Sequence, residues 1–348
     1  MNAISDSPVF HLWADSARVI TTVCHSRPDG DAAGASMALV HWLRTSLGKD
    51  AAAILPGPVP ETLSFLLEGE PVITASADLS AATQRLARTD LLVCLDFNTL
   101  SRAEELEEVL RAFQGRKVLI DHHKDPVREE FDLCFSCTEV SSACELLYEL
   151  LLSMPGIDGD AARLPAESAR ALMAGMTTDT NNFANSVFPG TLRMASALLA
   201  AGVDREDIID RLYRSERPNR LAAQGEMLSR LMKLGHGYAV TVLDKDFLER
   251  HSLLEGETEG FVNLPLTLKD VRLSVFAKAG DGCFRVSVRS KKGVSARILA
   301  RDHFHGGGHE QAAGGRIFIP GDVPSPEAVA SYIETITARF MQQPDTAF

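Results

Sequence analysis

The chain has 348 residues, 47 acidic against 35 basic, for a net charge of −12, and only six cysteines. That length suits two domains with separate cores. Composition excludes a disulfide scaffold, a membrane helix, which needs about 18 consecutive apolar residues, and the long basic stripe that tracks a nucleic-acid duplex.

Taken in chain order, Met1-Asn2-Ala3-Ile4-Ser5-Asp6 lacks the basic-then-apolar pattern of a signal peptide, so a cytoplasmic protein is expected. The β-branched run Arg18-Val19-Ile20-Thr21-Thr22-Val23-Cys24 predicts a strand opening into His25-Ser26-Arg27-Pro28-Asp29-Gly30-Asp31, then a small-residue helix over 33–47. The short apolar runs 91–95 and 117–120 predict strands buried on both faces. The first ends on Asp96 and the second on Asp121-His122-His123. Helices are expected over 81–88, 104–113 and 141–153, the last with Cys144, Leu147, Tyr148 and Leu151 at helical spacing. Strand–helix alternation of this kind implies a parallel sheet. The stretch 172–178 reads as a helix end that delivers Asp179.

A helical region follows over 191–234, one helix opened by Asp204-Arg205-Glu206-Asp207 at the favourable end of its dipole. Alternating runs at 239–243, 272–276 and 284–288 predict a smaller sheet with helices, and 327–340 a closing helix. The expected organisation is therefore α/β: a parallel-sheet domain over 9–186, a helical linker over 187–237, and a smaller α/β domain over 238–343.

Ligands of open α/β sheets collect beyond the carboxyl ends of the strands. His25, Asp29, Asp31, Asp96, Asp121, His122, His123 and Asp179 would thus converge on one crevice. Each piece has an ordinary alternative. Asp-Gly-Asp is a common turn, an aspartate before a helix is an N-cap, Asp96 has a reading as a cap for the segment after Thr99, and paired histidines are often plain solvent-facing residues. Those alternatives need independent coincidences at successive strand ends. Clustered carboxylates cannot all stay ionised unaided, and two dications would balance Asp29, Asp31, Asp96 and Asp179. Mixed imidazole and carboxylate ligands suit Mn, Fe, Co or Zn better than Ca. Manganese is expected, with magnesium or cobalt as alternatives.

A second cluster carries different chemistry. Gly306-Gly307-Gly308 before His309 lets backbone N–H groups approach an anion, and the Arg289 fork matches phosphate oxygens. The alternative is a flexible loop before a helix-like Gln311-Ala312-Ala313. His303, His305 and His309 do not have zinc spacing. Cys134-x-x-Cys137 stands without a second pair, and Cys24 and Cys94 read as small hydrophobes. Lys291-Lys292 beside Arg289 is the one compact basic group near a motif. A ligand with a few phosphates fits better than a long duplex.

The assembled pattern closely resembles the DHH phosphoesterase superfamily, which includes RecJ-type nucleases, family II pyrophosphatases, cyclic-dinucleotide phosphodiesterases and the nano-RNase/pAp phosphatases. His25-x-x-x-Asp29-Gly-Asp31, Asp96, Asp121-His122-His123 and Asp179 look like its first four motifs. Phe304-His305-Gly306-Gly307-Gly308-His309 resembles the glycine-rich signature of the DHHA1 domain, Arg289-Ser290 its substrate strand, and Glu259-Gly260-Phe261-Val262-Asn263-Leu264-Pro265 its entry segment. The resemblance implies a DHH domain followed by a DHHA1 domain with a mixed sheet. It implies one metal on His25, Asp29 and Asp96 and a second on Asp31, Asp96, His122 and Asp179. Asp121 would orient a ligand imidazole, and His123 would face the substrate phosphate. Arg289, Ser290, Gly306, Gly307, Gly308 and His309 would bind substrate. Many relatives have glycine soon after the fourth aspartate, whereas this chain reads Asp179-Thr180-Asn181-Asn182-Phe183.

Within the superfamily the resemblance implies hydrolysis of very short RNAs to 5′-mononucleotides and of 3′-phosphoadenosine 5′-phosphate to AMP. A cyclic di-AMP or linear di-adenylate phosphodiesterase is the nearest alternative. A nucleotide-binding sensor with a decayed site is the non-enzymatic one, against which the complete ligand set speaks. Partners are expected to be short RNA, dinucleotides and phosphorylated nucleotides, with no long duplex and no membrane. Oligomeric state is left open, a homodimer included.

Overall fold

The computed structural model describes residues 4–254 and 256–342. It divides into two compact units, one ending at Ser215 and one starting at Glu216, a division inside the stretch read as a linker. Met1 to Ala3, part of the N-terminal stretch read above, and Gln343, the expected last residue of the second domain, lie outside the described residues.

The first unit runs α1 (Ser7–Ser16), β1 (Val19–Val23), α2 (Gly30–Leu47), β2 (Asp50–Leu55), β3 (Val72–Thr74), α3 (Leu79–Ala87), β4 (Leu91–Leu95), α4 (Glu107–Ala112), β5 (Arg116–Asp121), β6 (Leu133–Ser136), α5 (Ala143–Leu152), α6 (Ala166–Asp179), α7 (Pro189–Ala200) and α8 (Arg205–Tyr213). Its sheet has the order β3-β2-β1-β4-β5-β6, and every pairing is parallel. The chain reverses its direction of winding between β1 and β4, so a crevice opens beyond their carboxyl ends. Residues of β4 are buried throughout, as a central parallel strand requires. One face of the sheet is covered by α2, α5 and α6 through Leu39, Leu43, Leu147 and Leu172. Ala82, Leu86, Leu106 and Leu110 cover the other.

Two expectations in this unit need correction. The helix expected over 104–113 is a 3-10 segment, Leu100–Leu106, followed by the short α4, because Glu104 adopts φ 45° and ψ −105°, which breaks the helix. The helical stretch expected to reach Leu234 also stops early. It ends in a π turn at Met227–Leu231, and Leu234 lies in a strand.

The second unit contains α9 (Pro218–Glu226), β7 (Lys233–Gly235), β8 (Tyr238–Leu243), α10 (Lys245–Arg250), β9 (Leu273–Ala279), β10 (Cys283–Ser290), α11 (Ala296–His303), β11 (Gly307–Gly308), β12 (Ala312–Phe318) and α12 (Val329–Gln342). Its sheet has the order β11-β12-β10-β9-β8-β7 and is mixed: β8 and β9 are parallel, the other neighbours antiparallel. Leu299, Ala300, Ile333 and Phe340 pack α11 and α12 onto it. The helix-like reading of Gln311-Ala312-Ala313 is wrong, since Ala312 starts β12 and pairs with Arg289. Cross-strand pairing overrides the helical preference of two alanines. No helix among the described residues is long and apolar enough to cross a membrane.

Candidate metal centre

Three loops and one helix end build the site. Beyond β1, Asp29 is the N-cap of α2, its Oδ1 accepting from the N–H groups of Asp31 and Ala32 at 3.0 and 3.1 Å. Helix capping and participation in the site are thus compatible roles of one carboxylate. His25 donates from Nδ1 to the Ser26 carbonyl at 2.8 Å, which turns Nε2 inward. Beyond β4 comes Asp96, at φ 61°, which aims its side chain back across the strand ends. Beyond β5 come His122 and His123.

Asp179 arrives from the far end of α6, and glycines make its approach possible. A Cβ on Gly30 would lie 2.2 Å from Thr178 Oγ1, and one on Gly175 would lie 2.3 Å from Cys144 Sγ and 3.0 Å from the Gly30 carbonyl. Without side chains there, α6 lies close on α2, and the acid ending one helix meets the acid starting the other.

The resulting contacts are short. Asp96 Oδ2 is 3.3 Å from His25 Nε2, and Asp96 Oδ1 is 3.3 Å from His122 Nε2. His122 Nε2 is also 3.8 Å from both Asp31 Oδ2 and Asp179 Oδ2. Asp31 is buried, and its two oxygens accept from the Ala143 and Cys144 N–H groups at 2.6 and 2.9 Å, the start of α5. That helix terminus carries partial positive charge suited to a carboxylate.

Without cations, protons on imidazoles and carboxyls take up the charge of the cluster. Burial works to keep His25 neutral, yet Asp29 and Asp96 raise its imidazole to about 10. His122 likewise reaches about 10, burial being outweighed by Asp96 and Asp31. Burial, then the charges of Asp96 and Asp179, push the Asp31 carboxyl well above the usual range. Burial lifts Asp179 to about 6, with Asp96 adding to it against the pull of His122. Asp96 is buried too, but His122 and His25 hold it well below the ordinary carboxylate value.

These residues fit divalent cations. His25, Asp29 and Asp96 offer ligand atoms within 4.8 Å of one another, as do Asp31, His122 and Asp179. Asp96 Oδ1 is buried without a hydrogen-bond partner, an acceptor that would be costly to leave unmet. Asp96, Asp31 and the imidazoles form the donor set that borderline dications accept.

Asp121 pairs with the second histidine of its motif, which shares a candidate cation group with Asp96 and His122. Asp121 is fully buried, and its Oδ1 accepts at 2.7 Å from Nδ1 of His123, so the ring it orients is His123. Motif reasoning also missed Arg102, whose Nη1 lies 3.1 Å from His123 Nε2. The only signal for it was its place on the loop beyond β4.

In the second unit, Arg289 stands on β10 opposite Ala312, and the His309 N–H donates to the Ala312 carbonyl at 2.8 Å. Register therefore brings Arg289, the glycine segment and His309 to one end of that sheet. Arg289 donates to the Val288 and Ala313 carbonyls, and burial lowers its guanidinium below the ordinary value. Ser290 is buried and donates to the Val294 carbonyl at 2.6 Å. Gly307 and Gly308 form β11. A Cβ on Gly306 or Gly308 would strike the Gly314 or Ala312 carbonyl, whereas Gly307 faces open space. Two of these glycines are thus demanded by strand packing, whatever else they contact.

Comparison with known proteins agrees with this layout. Residues 19–176 match the family model described as DHH family, N-terminal domain, and residues 237–340 match the DHHA1 domain. A bifunctional oligoribonuclease and PAP phosphatase of Thermus thermophilus is 31% identical over 83% of this chain and 81% of its own length. A cyclic-di-AMP phosphodiesterase of Geobacillus thermodenitrificans is 28% identical over 86% of this chain but only 44% of its own length. The crystal structure of an exopolyphosphatase-related protein from Bacteroides fragilis superposes with a TM-score of 0.89 at 30% identity, covering 97% of this chain and 96% of that one.

Proposed function

Because this chain belongs to the DHH family of phosphoesterases and carries a DHHA1 domain, we propose that it hydrolyses short oligoribonucleotides to 5′-mononucleotides and 3′-phosphoadenosine 5′-phosphate to AMP and phosphate, with manganese as its metal. The observation that carries the reading is Asp96 lying between two imidazoles, one on each oxygen, with Asp29 and Asp31 to either side.

His25, Asp29 and Asp96 would hold one cation, and Asp31, Asp96, His122 and Asp179 the other. Bound divalent ions supply Lewis acidity toward a phosphate and make a water molecule easier to deprotonate. The chain's own residues set the stage for that chemistry. Asp31, tied to the start of α5, cannot swing away, and the Ser26 carbonyl fixes the face that His25 presents. Asp121 orients His123 beside the cluster. Arg289, Ser290, the glycine segment and His309 are the substrate-binding residues that the DHHA1 resemblance implies.

The substrates named for the Thermus relative support this reading, since that relative and this chain match over most of both lengths. The cyclic-di-AMP phosphodiesterases have less weight, as this chain spans under half of each. One substrate panel decides. 3′-Phosphoadenosine 5′-phosphate, a 5′-phosphorylated diribonucleotide, cyclic di-AMP, pyrophosphate and a longer single strand are compared with manganese and with chelator. Chelator-sensitive turnover of the first two is expected. Preference for cyclic di-AMP would replace the reading, and no phosphate or nucleotide release from any of them would end it.

A further inference from the structure

Arg102 lies outside every motif, yet it is built into the metal centre. Its carbonyl accepts from the Ser26 N–H at 2.8 Å, which ties the loop beyond β4 to the loop beyond β1. Leu100 and Ala103 flank it and are buried, while the Leu100 N–H donates to Glu130 Oε2 at 2.7 Å. The root of the side chain is therefore fixed.

At its tip, Nη1 donates to His123 Nε2 at 3.1 Å, and on the other side of the ring Nδ1 meets Asp121 Oδ1 at 2.7 Å. A guanidinium donates and never accepts. His123 Nε2 is thus the acceptor, and its ring hydrogen sits on Nδ1, directed at Asp121. In this arrangement His123 has no Nε2 hydrogen to give a phosphate oxygen or a leaving group.

Charge points the same way. Arg85, Arg111, Arg170 and Arg211 each have a carboxylate partner at 3.0 Å or less. Among the described residues, no carboxylate makes an ion pair with Arg102, although it is only half-exposed and beside an acid-rich centre. A held guanidinium with N–H groups still to donate is matched to an anion, and its planar fork suits phosphate oxygens.

We propose that Arg102 grips the non-bridging oxygens of the substrate phosphate, and that His123, its tautomer set by Asp121, is the positioning residue that aims it. This rests on the phosphoesterase reading for the identity of the anion. It assigns to Arg102 the phosphate contact that the family resemblance gave to His123.

The test uses the full-length, manganese-loaded protein and its Arg102→Ala, Arg102→Lys, His123→Ala and double Arg102→Ala/His123→Ala variants. Calorimetry with inorganic phosphate reads binding without turnover, kcat and KM are read on 3′-phosphoadenosine 5′-phosphate, and metal content is measured by mass spectrometry. Arg102→Ala is expected to weaken phosphate binding at least about tenfold and to lower kcat/KM about a hundredfold, the scale of losing a charged donor. Manganese content should not change. Arg102→Lys should recover only a small part, since lysine lacks the fork. The double variant should be little worse than Arg102→Ala, as for residues acting through one another. Unchanged phosphate affinity in Arg102→Ala, loss of its manganese, or additive effects in the double variant would each overturn the proposal. If the wild type turns over no phosphoester but Arg102→Ala still weakens phosphate binding, the proposed reaction falls and the assignment of Arg102 stands.

Discussion

Asp96 is the residue on which both halves of the centre depend, because each of its oxygens faces a different imidazole. Asp96→Asn keeps the shape and removes the charge. It should reduce turnover at least about a hundredfold and lower bound manganese by mass spectrometry, while the far-ultraviolet circular dichroism is unchanged. Just past Asp179 the backbone takes a costly path: Asn181, Asn182 and Phe183 all have positive φ, at 45°, 56° and 67°. Arg205 braces the turn by a hydrogen bond to the Asn182 side chain and by its guanidinium 5.3 Å over the Phe183 ring. Asparagine tolerates the left-handed region, which explains how this chain dispenses with a glycine there. Asn181→Gly should therefore leave thermal stability intact or slightly raised, whereas Asn181→Val should cost about 1–2 kcal/mol in chemical denaturation. At this scale the sequence was readable wherever a polar residue directly followed an apolar run, as with Asp96 and His122. It was silent on Arg102, which is joined to His123 by a fold-dependent contact, and on which histidine Asp121 would orient.

Among the elements, the crossing of α2 and α6 governs the geometry of the acids. Gly175→Ala would press a methyl group against Cys144 Sγ and the Gly30 carbonyl. Overpacking of this kind costs about 1–3 kcal/mol, and the shift of α6 would carry Asp179 away from His122. A lower unfolding midpoint together with a lower kcat is expected, and Gly225→Ala, in open space and without a positive φ, controls for mere loss of flexibility. Strands β1, β4 and β5 could be read from uninterrupted apolar or β-branched runs. Strand β2, Asp50-Ala51-Ala52-Ala53-Ile54-Leu55, could not, because alanine favours helix in isolation and only burial between β1 and β3 makes it a strand. The helix expected across Glu104 had apolar residues in suitable places, but periodicity carries no notice of a single backbone reversal.

For the whole molecule, the state of the centre sets how stability responds to pH. Unfolded imidazoles release their protons near 6.5, while His25 and His122 in the metal-free fold keep theirs to about 10. Their contribution is complete below 6.5 and is lost as pH climbs through 10. Asp179, raised from 3.8 to about 6, acts in the same sense lower down. Asp96 opposes this only at the acid end, its contribution being present above its ordinary value and lost as pH falls further. The chelator-treated protein should thus melt at falling temperature as pH rises from 6.5 toward 10. The manganese-loaded protein should gain stability relative to it over that interval, since the cations displace those protons. Scanning calorimetry with and without chelator checks the divergence, and titration of manganese in buffers of different ionisation enthalpy should register proton release.

The parallel order that places β1 beside β4 also has a temporal consequence. His25 follows β1 and Asp179 closes α6, far apart in the chain, and α6 packs closely on α2. A ribosome-bound fragment that stops short of Asp179 has no complete cation cage, however much of the sheet has formed. Ion capture then waits on α6, and the fraction of molecules carrying a divalent cation counts those in which α2 and α6 have met.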